Sequence, residues 1–326
     1  MKKLLYLPLL VLAVVALSSH DMYLKLNNYF LEPFSHATVE LFNGTFEKSE
    51  NVIDRDRMMD VSIVQNGSKM SPSEKSWYEK DSITYLKFKT EDVGTYVIGL
   101  STKARTIEMD AEAFNDYLKH DGVLDLLAKR ELEGTLDTGA KELYSKHVKT
   151  IVQVGDKKTE DWKTPLNYPI EFIPLQNPYD LHLGDSLSVQ LIFNEAPLAN
   201  QLVYLGHKAV AAEHTHDGTT HTHESEASHE HNDLKQLRTD EQGVVAFAFD
   251  KEGVWFLRTI HMASLENSEY THESNWATLT FASGTEPTHE HEEEIHQEIP
   301  TYYFILGSIL LIAIMFFYYR SRGHEK

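Results

Sequence analysis

The strongest constraint on the fold is a succession of short runs rich in β-branched and aromatic residues, each closed by a turn signal. Early examples are Met22-Tyr23-Leu24, Thr38 to Phe42, Val61 to Val64, Ile83 to Phe88 and Thr95 to Leu100. Asn43-Gly44, Asn66-Gly67 and Asp92-Val93-Gly94 punctuate them. Such turns reverse the chain after a few residues, so the runs predict an antiparallel β-sandwich rather than long helices. A second series comprises Ile170 to Ile173, Ser186 to Phe193, Leu202 to Leu205, Gly243 to Phe249, Gly253 to His261 and Trp276 to Phe281. It predicts a second Ig-like sandwich over 166–282. Between the two series, apolar residues fall at near-helical spacing from Asp110 to Arg130 and again from Ala140 to Val148. A helical segment over 110–148 is therefore expected on one side of the first sandwich, 20–165. The predicted class is all-β with a small helical insertion.

Both ends bear on the compartment. Lys2 and Lys3 precede an apolar run, Leu4 to Leu17, and the small residues Ser18 and Ser19. That order of basic, apolar and small residues predicts a secretory signal over 1–19. Ala16-Leu17-Ser18 would make Ser19 the first mature residue, and cleavage one position later would expose His20. Tyr302 to Tyr319 carries no charge, and its 18 residues reach about 27 Å as a helix. A membrane span is expected over 301–319, with tyrosines at both ends as interfacial anchors. Arg320, Arg322 and Lys326 follow it, which places the short tail 320–326 in the cytoplasm. The remainder of the chain then faces the periplasm or cell exterior, joined to the span by a stalk, 283–300.

Among 326 residues there is no cysteine, and the net charge is −20. Disulfides and thiolate metal sites are excluded, and no basic patch exists to neutralise nucleic-acid phosphates. An acidic surface attracts cations. The histidines sharpen that theme. His214/His216, His221/His223 and His229/His231 form three His-x-His pairs among acidic and small polar residues, inside a loop expected over 207–233. In extended backbone, residues i and i+2 point to one side about 6.5–7 Å apart, so two imidazoles can close on one ion. Imidazole is a ligand for borderline divalent metals, and nearby carboxylates offset the charge. His289/His291 repeats the pattern in the stalk. A solvated acidic insertion without specific binding is the alternative. Neither segment carries residues that would fix ligand geometry, so binding is expected to be weak and pH-dependent.

Two further positions are candidates. His20, at or next to a free terminal amine, can chelate Cu²⁺ or Ni²⁺ through amine and imidazole nitrogens. His261 ends a strand and meets His272 and Glu273 if their strands are neighbours; a satisfied strand histidine is the alternative. His120 and His147 read as helical surface or cap residues, and His36 and His182 as edge or turn residues. His207 starts the loop. The chain has no G-x-S-x-G, H-E-x-x-H, P-loop or nucleophilic cysteine. A non-enzymatic role is expected, a terminal-histidine copper oxidase being the exception.

Several stretches together resemble the DUF4198 proteins, also described as a nickel-uptake-transporter or NikM-like periplasmic family. They are His20-Asp21-Met22-Tyr23-Leu24, Asp92 to Gly99, Phe114 to Gly122, Asn177 to Asp185, Arg238 to Val244, Gly253 to Met262 and Ser274 to Phe281. The resemblance covers nearly all of the region between the two ends. It implies an all-β, Ig-like architecture and an accessory role in nickel or cobalt uptake, with an inner-membrane metal transporter as partner. Zinc and copper remain compatible with the same ligands. A surface interaction or spacer module with incidental histidines is the competing function. Pro197 to Val203 and Thr239 to Gly243 read like repeats of Ig-like surface domains.

Overall fold

The computed structural model describes residues 20–209 and 234–284. Nine strands come first: β1 (Asp21–Lys25), β2 (Phe30–Leu31), β3 (His36–Gly44), β4 (Met58–Gln65), β5 (Ser68–Met70), β6 (Trp77–Lys80), β7 (Ile83–Lys89), β8 (Gly94–Thr102) and β9 (Arg105–Met109). Two helices follow, α1 (Ala111–His120) and α2 (Leu124–Glu133). Nine more strands complete the body: β10 (Ala140–Val154), β11 (Ile170–Pro174), β12 (Ser186–Phe193), β13 (Ala196–Pro197), β14 (Leu202–Lys208), β15 (Lys235–Arg238), β16 (Val244–Ala248), β17 (Gly253–Ser264) and β18 (His272–Ser283).

These strands form three sheets. A ten-stranded sheet runs β15-β14-β17-β18-β10-β8-β4-β5, with β2 and β9 also pairing β10. One four-stranded sheet runs β1-β3-β7-β6, and the other combines β11-β12-β13 with β16. Side-chain alternation shows how they stack. On β8, Tyr96, Ile98 and Leu100 enter a core with Leu24, Val39, Leu41 and Leu86 of the β1 sheet. Val97, between them, enters a second core with Phe172, Leu187, Val189 and Val245 of the β11 sheet. On β10, Val148 and Val152 likewise face the first core and Ile151 the second. The ten-stranded sheet is thus the middle layer of three, buried on both faces by antiparallel sheets.

The all-β sandwich expectation holds, and each strand read from sequence is a strand here. Two details differ. The boundary expected at 165/166 does not separate two sandwiches. β10, from before it, pairs in parallel with β18, from after it, over Glu142↔His272 to Thr150↔Thr280. The helical reading of 140–148 is also corrected, because Ala140–Val154 is one fifteen-residue strand. It is central and packed on both faces, so its apolar residues do not alternate, and a two-sided strand mimics a helical stripe. The helices themselves are shorter. Asp110 caps α1 by accepting from the Ala113 N–H, and α2 stops at Gly134 in the left-handed region, φ 70°.

A buried ion pair ties the middle layer to the β11 sheet. Lys149 Nζ lies 2.6 Å from Glu171 Oε2, both side chains 2% exposed. Glu171 also accepts the backbone N–H groups of Leu166 and Asn167. Among the described residues no helix is long and apolar enough to cross a membrane. The expected signal 1–19, the stalk beyond Gly284, the span 301–319 and the tail 320–326 lie outside the described residues.

Candidate functional site

The face of the middle sheet that carries the β1 sheet continues past it, and there the α1–α2 hairpin covers it. Phe114, Tyr117, Leu118, Val123 and Leu126 pack on Ile260 of β17 and Trp276 of β18. Between β1 and the hairpin runs a seam in which charged side chains are buried. Burying charge is costly unless each group is paired, so the arrangement is specified residue by residue.

Arg258 projects from the middle of β17 and is 1% exposed, with Nε 2.8 Å from the Asp21 carboxylate of β1. The Tyr23 hydroxyl donates to the same carboxylate at 3.1 Å. Arg258 Nη2 donates to the backbone carbonyl of Asp121, at the end of α1, at 2.8 Å. The Tyr204 hydroxyl donates to the neighbouring carbonyl of Gly122 at 2.9 Å. Gly122 has φ 76°, and a Cβ there would lie 2.2 Å from the Tyr204 oxygen, so only glycine fits. One arginine and one tyrosine from the middle sheet therefore hold the turn between the helices against β1.

The seam continues on β10. Glu142 Oε1 accepts from the Tyr117 hydroxyl at 3.1 Å and from the Ser274 hydroxyl. Its other oxygen, Oε2, has no hydrogen-bond partner among the described residues. Burial pushes the Glu142 carboxyl up to about 7. Lys146, four residues on, donates its ammonium to the His20 carbonyl and lies 4.7 Å from the centre of the Trp276 ring. Burial, with Arg57 alongside, brings it down to about 8. Burial likewise raises Asp121, whereas its hydrogen bond raises the exposed His120 above the usual imidazole value.

His20 stands at the entrance to this seam, its Nε2 3.1 Å from Glu50 Oε2. Burial lowers its pKa, with Glu50 opposing. Among the described residues no three His, Asp or Glu side chains converge as a metal-ligand set.

The remaining histidines have different surroundings. His261 pairs across from Asn275, its Nδ1 3.1 Å from Gln201 Oε1 and its ring 4.5 Å from Phe193. Its pKa is lowered by burial. His272 pairs with Ser264, three rungs away, and alternation turns it to the opposite face from His261 and Glu273. It packs 5.0 Å from Phe114, and burial brings it down to about 4. The His261–His272–Glu273 cluster consequently does not form, although β17 and β18 are neighbours. His147 is a buried strand residue rather than a helical one. It bonds Ser101, Ser145 and Asn275, with burial bringing it down to about 4. His207 Nε2 is 2.9 Å from the Glu252 carbonyl, its ring against Trp255. His36 and His182 are exposed, as expected. His214, His216, His221, His223, His229, His231, His289 and His291 lie outside the described residues.

What the structure does define is the frame of the histidine-rich segment. β14 and β15 are antiparallel neighbours at one end of the middle sheet, paired from Leu202↔Arg238 to Leu205↔Lys235. The stretch between them is the connection of a hairpin.

Sequence reasoning missed Glu142, Lys146, Asp121 and Arg258. The available signal was charge at inward strand positions, most visible as Arg258 within the apolar run Gly253 to His261. Asp21, Asp121-Gly122 and Arg258 fall in three of the resemblance stretches, and here they meet.

Comparison with known proteins adds a family and remote structural likenesses. The family model described as "Domain of unknown function (DUF4198)" matches residues 17–263. No curated protein matches. The solved Salmonella alpha-2-macroglobulin reacted with methylamine overlaps 81% of this chain at 12% identity, TM-score 0.22; this chain spans 15% of that one. The D0-D1 domain of intimin overlaps 80% at 9% identity, with 97% of its own length covered and TM-score 0.18. The Yersinia pseudotuberculosis adhesin InvE overlaps 80% at 11% identity, with 58% of its length covered and TM-score 0.19.

Proposed function

The chain belongs to the DUF4198 family, and on that premise we propose that it is an extracytoplasmic, membrane-anchored binding protein for divalent transition-metal ions. Nickel and cobalt are the first cargo, with zinc and copper accepted by the same donors. The metal is held on the histidine-rich insertion and passed to an inner-membrane transporter. The observation that carries this reading is the pairing of β14 with β15. It makes 209–234 the connection between two paired strands, with Val203, Leu205 and Leu237 of those strands packed in the core. Loop length costs little thermodynamically, so the connection is free to be selected for its ligands.

The donor chemistry fits. Six imidazoles and the carboxylates of Glu213, Asp217, Glu224, Glu226 and Glu230 offer borderline nitrogen ligands and compensating charge. Among the described residues no three His, Asp or Glu side chains form a ligand set, and the insertion supplies six imidazoles in one segment. The acidic surface raises local cation concentration around it.

Calorimetric titration of the full chain with Ni²⁺ tests this. Replacement of His214, His216, His221, His223, His229 and His231 by alanine should remove most of the bound metal. Unchanged stoichiometry would sink the proposal.

A further inference from the structure

The α1–α2 hairpin is fastened to the middle sheet at a few polar points, one of which can gain or lose a proton. Tyr117 of α1 donates to Glu142 of β10, beside Ser274 of β18. At the far end of α1, Arg258 and Tyr204 hold the carbonyls of Asp121 and Gly122. Beneath the turn that follows is a cavity of about 50 Å³, lined by Gly122, Leu124, Gln201, Ile260 and Met262.

Glu142 is the weak fastening when charged. Its Oε2 is buried without a partner among the described residues, and burial outweighs what favours its anion, namely the hydrogen bonds from Ser274 and Tyr117 and the Lys146 charge. The Lys146 ammonium is engaged with the His20 carbonyl and the Trp276 ring. Asp121 adds like charge from α1. Arg57, beyond Lys146, lies over the Tyr144 ring. Asp21 of β1 is taken by Arg258. His272 of β18 is held neutral by burial. A protonated Glu142 avoids the cost of a buried unpaired charge while keeping the Tyr117 and Ser274 hydrogen bonds.

We propose that Glu142 is a proton-operated latch: the helical hairpin 111–133 is held firmly on the middle sheet when this carboxyl is protonated and loosened when it ionises. The sign follows from linkage. The folded carboxyl titrates at about 7, against 4.5 for the free group, so its stabilisation is complete below about 4.5 and is lost as pH rises to about 7. His120 acts in the same sense at the exposed end of α1, because its bond to Asp121 raises its pKa. Lys146 acts in the opposite sense and only near and above about 8.

Hydrogen exchange of the full chain between pH 5.5 and 7.5, corrected for intrinsic rates, reads the latch directly. Amides of 111–133 should open more readily at the higher pH, with an opening constant greater by about tenfold or more, because opening then releases a proton that only the closed hairpin retains. Glu142→Gln, which keeps the shape and stays neutral, should flatten that dependence. His120→Gln should leave most of it in place. Wild-type exchange independent of pH would overturn the proposal, as would a dependence that survives Glu142→Gln or vanishes in His120→Gln. If Glu142→Gln does not fold, the carboxyl carbon resonance of Glu142 in the wild type decides. A midpoint near 7 that coincides with the loosening of 111–133 supports the latch, and a midpoint near 4.5 overturns it.

Discussion

Single residues carry stability here because charges sit inside. Lys149 and Glu171 are paired between two layers, and removing one partner strands the other in a dry site. Lys149→Ala should therefore cost about 3–5 kcal/mol, measured by denaturant unfolding, whereas Lys149→Met with Glu171→Gln, which removes both charges and keeps an acceptor for the backbone N–H groups of Leu166 and Asn167, should recover part of that loss. At the seam, Gly122→Ala combines a left-handed backbone with a contact on the Tyr204 hydroxyl, and about 1–3 kcal/mol of destabilisation is expected in the same assay. Tyr204→Phe should cost less, about 1 kcal/mol, because it deletes one hydrogen bond to a carbonyl. These residues were the least legible in the sequence. Glu142 looks like a solvent-facing alternate, and Arg258, though set in an apolar run, does not name its partners until the distant strands are placed. His147 shows the converse: its strand is buried on both faces, so the pattern around it read as helical and the ring as exposed.

At the scale of elements, most strands were legible because turn signals and β-branched runs are local. The two helices were legible from the apolar spacing between Asp110 and Arg130, but the end of α2 at Gly134 was not read and the helical segment was carried on to 148. β10 was not, since a fifteen-residue strand packed on both faces has no period-two alternation to read. The His261–His272–Glu273 convergence failed for a related reason, since register and face are decided by pairing, which local sequence does not specify. The β14–β15 hairpin gives an element-level prediction. Its strands pair in register from Leu202↔Arg238 to Leu205↔Lys235, so replacing 209–234 with a short glycine-containing turn should shift the denaturation midpoint by no more than a few degrees. Loss of cooperative unfolding in that variant would show that the insertion belongs to the core.

For the whole molecule, the consequential feature is a middle sheet assembled from both halves of the chain. β10 and β18 pair in parallel across more than a hundred residues of sequence, and each face of their sheet is covered by a different antiparallel layer. A fragment ending at 165 would expose the β10 edge and much of the second core. Expressed as 20–165, it should show no cooperative thermal transition, where an independent sandwich would show one. The β14–β15 hairpin that carries the histidine pairs belongs to this middle sheet, and the proposed metal capture depends mainly on those pairs. On that proposal neutral imidazole is the ligand, so protonation at about pH 6 should release metal. The most direct measurement is nickel bound per full-length chain at pH 7.5, with and without the six insertion histidines. The account predicts that their replacement by alanine removes most of the bound nickel while the unfolding transition stays in place; equal nickel on both proteins would contradict it.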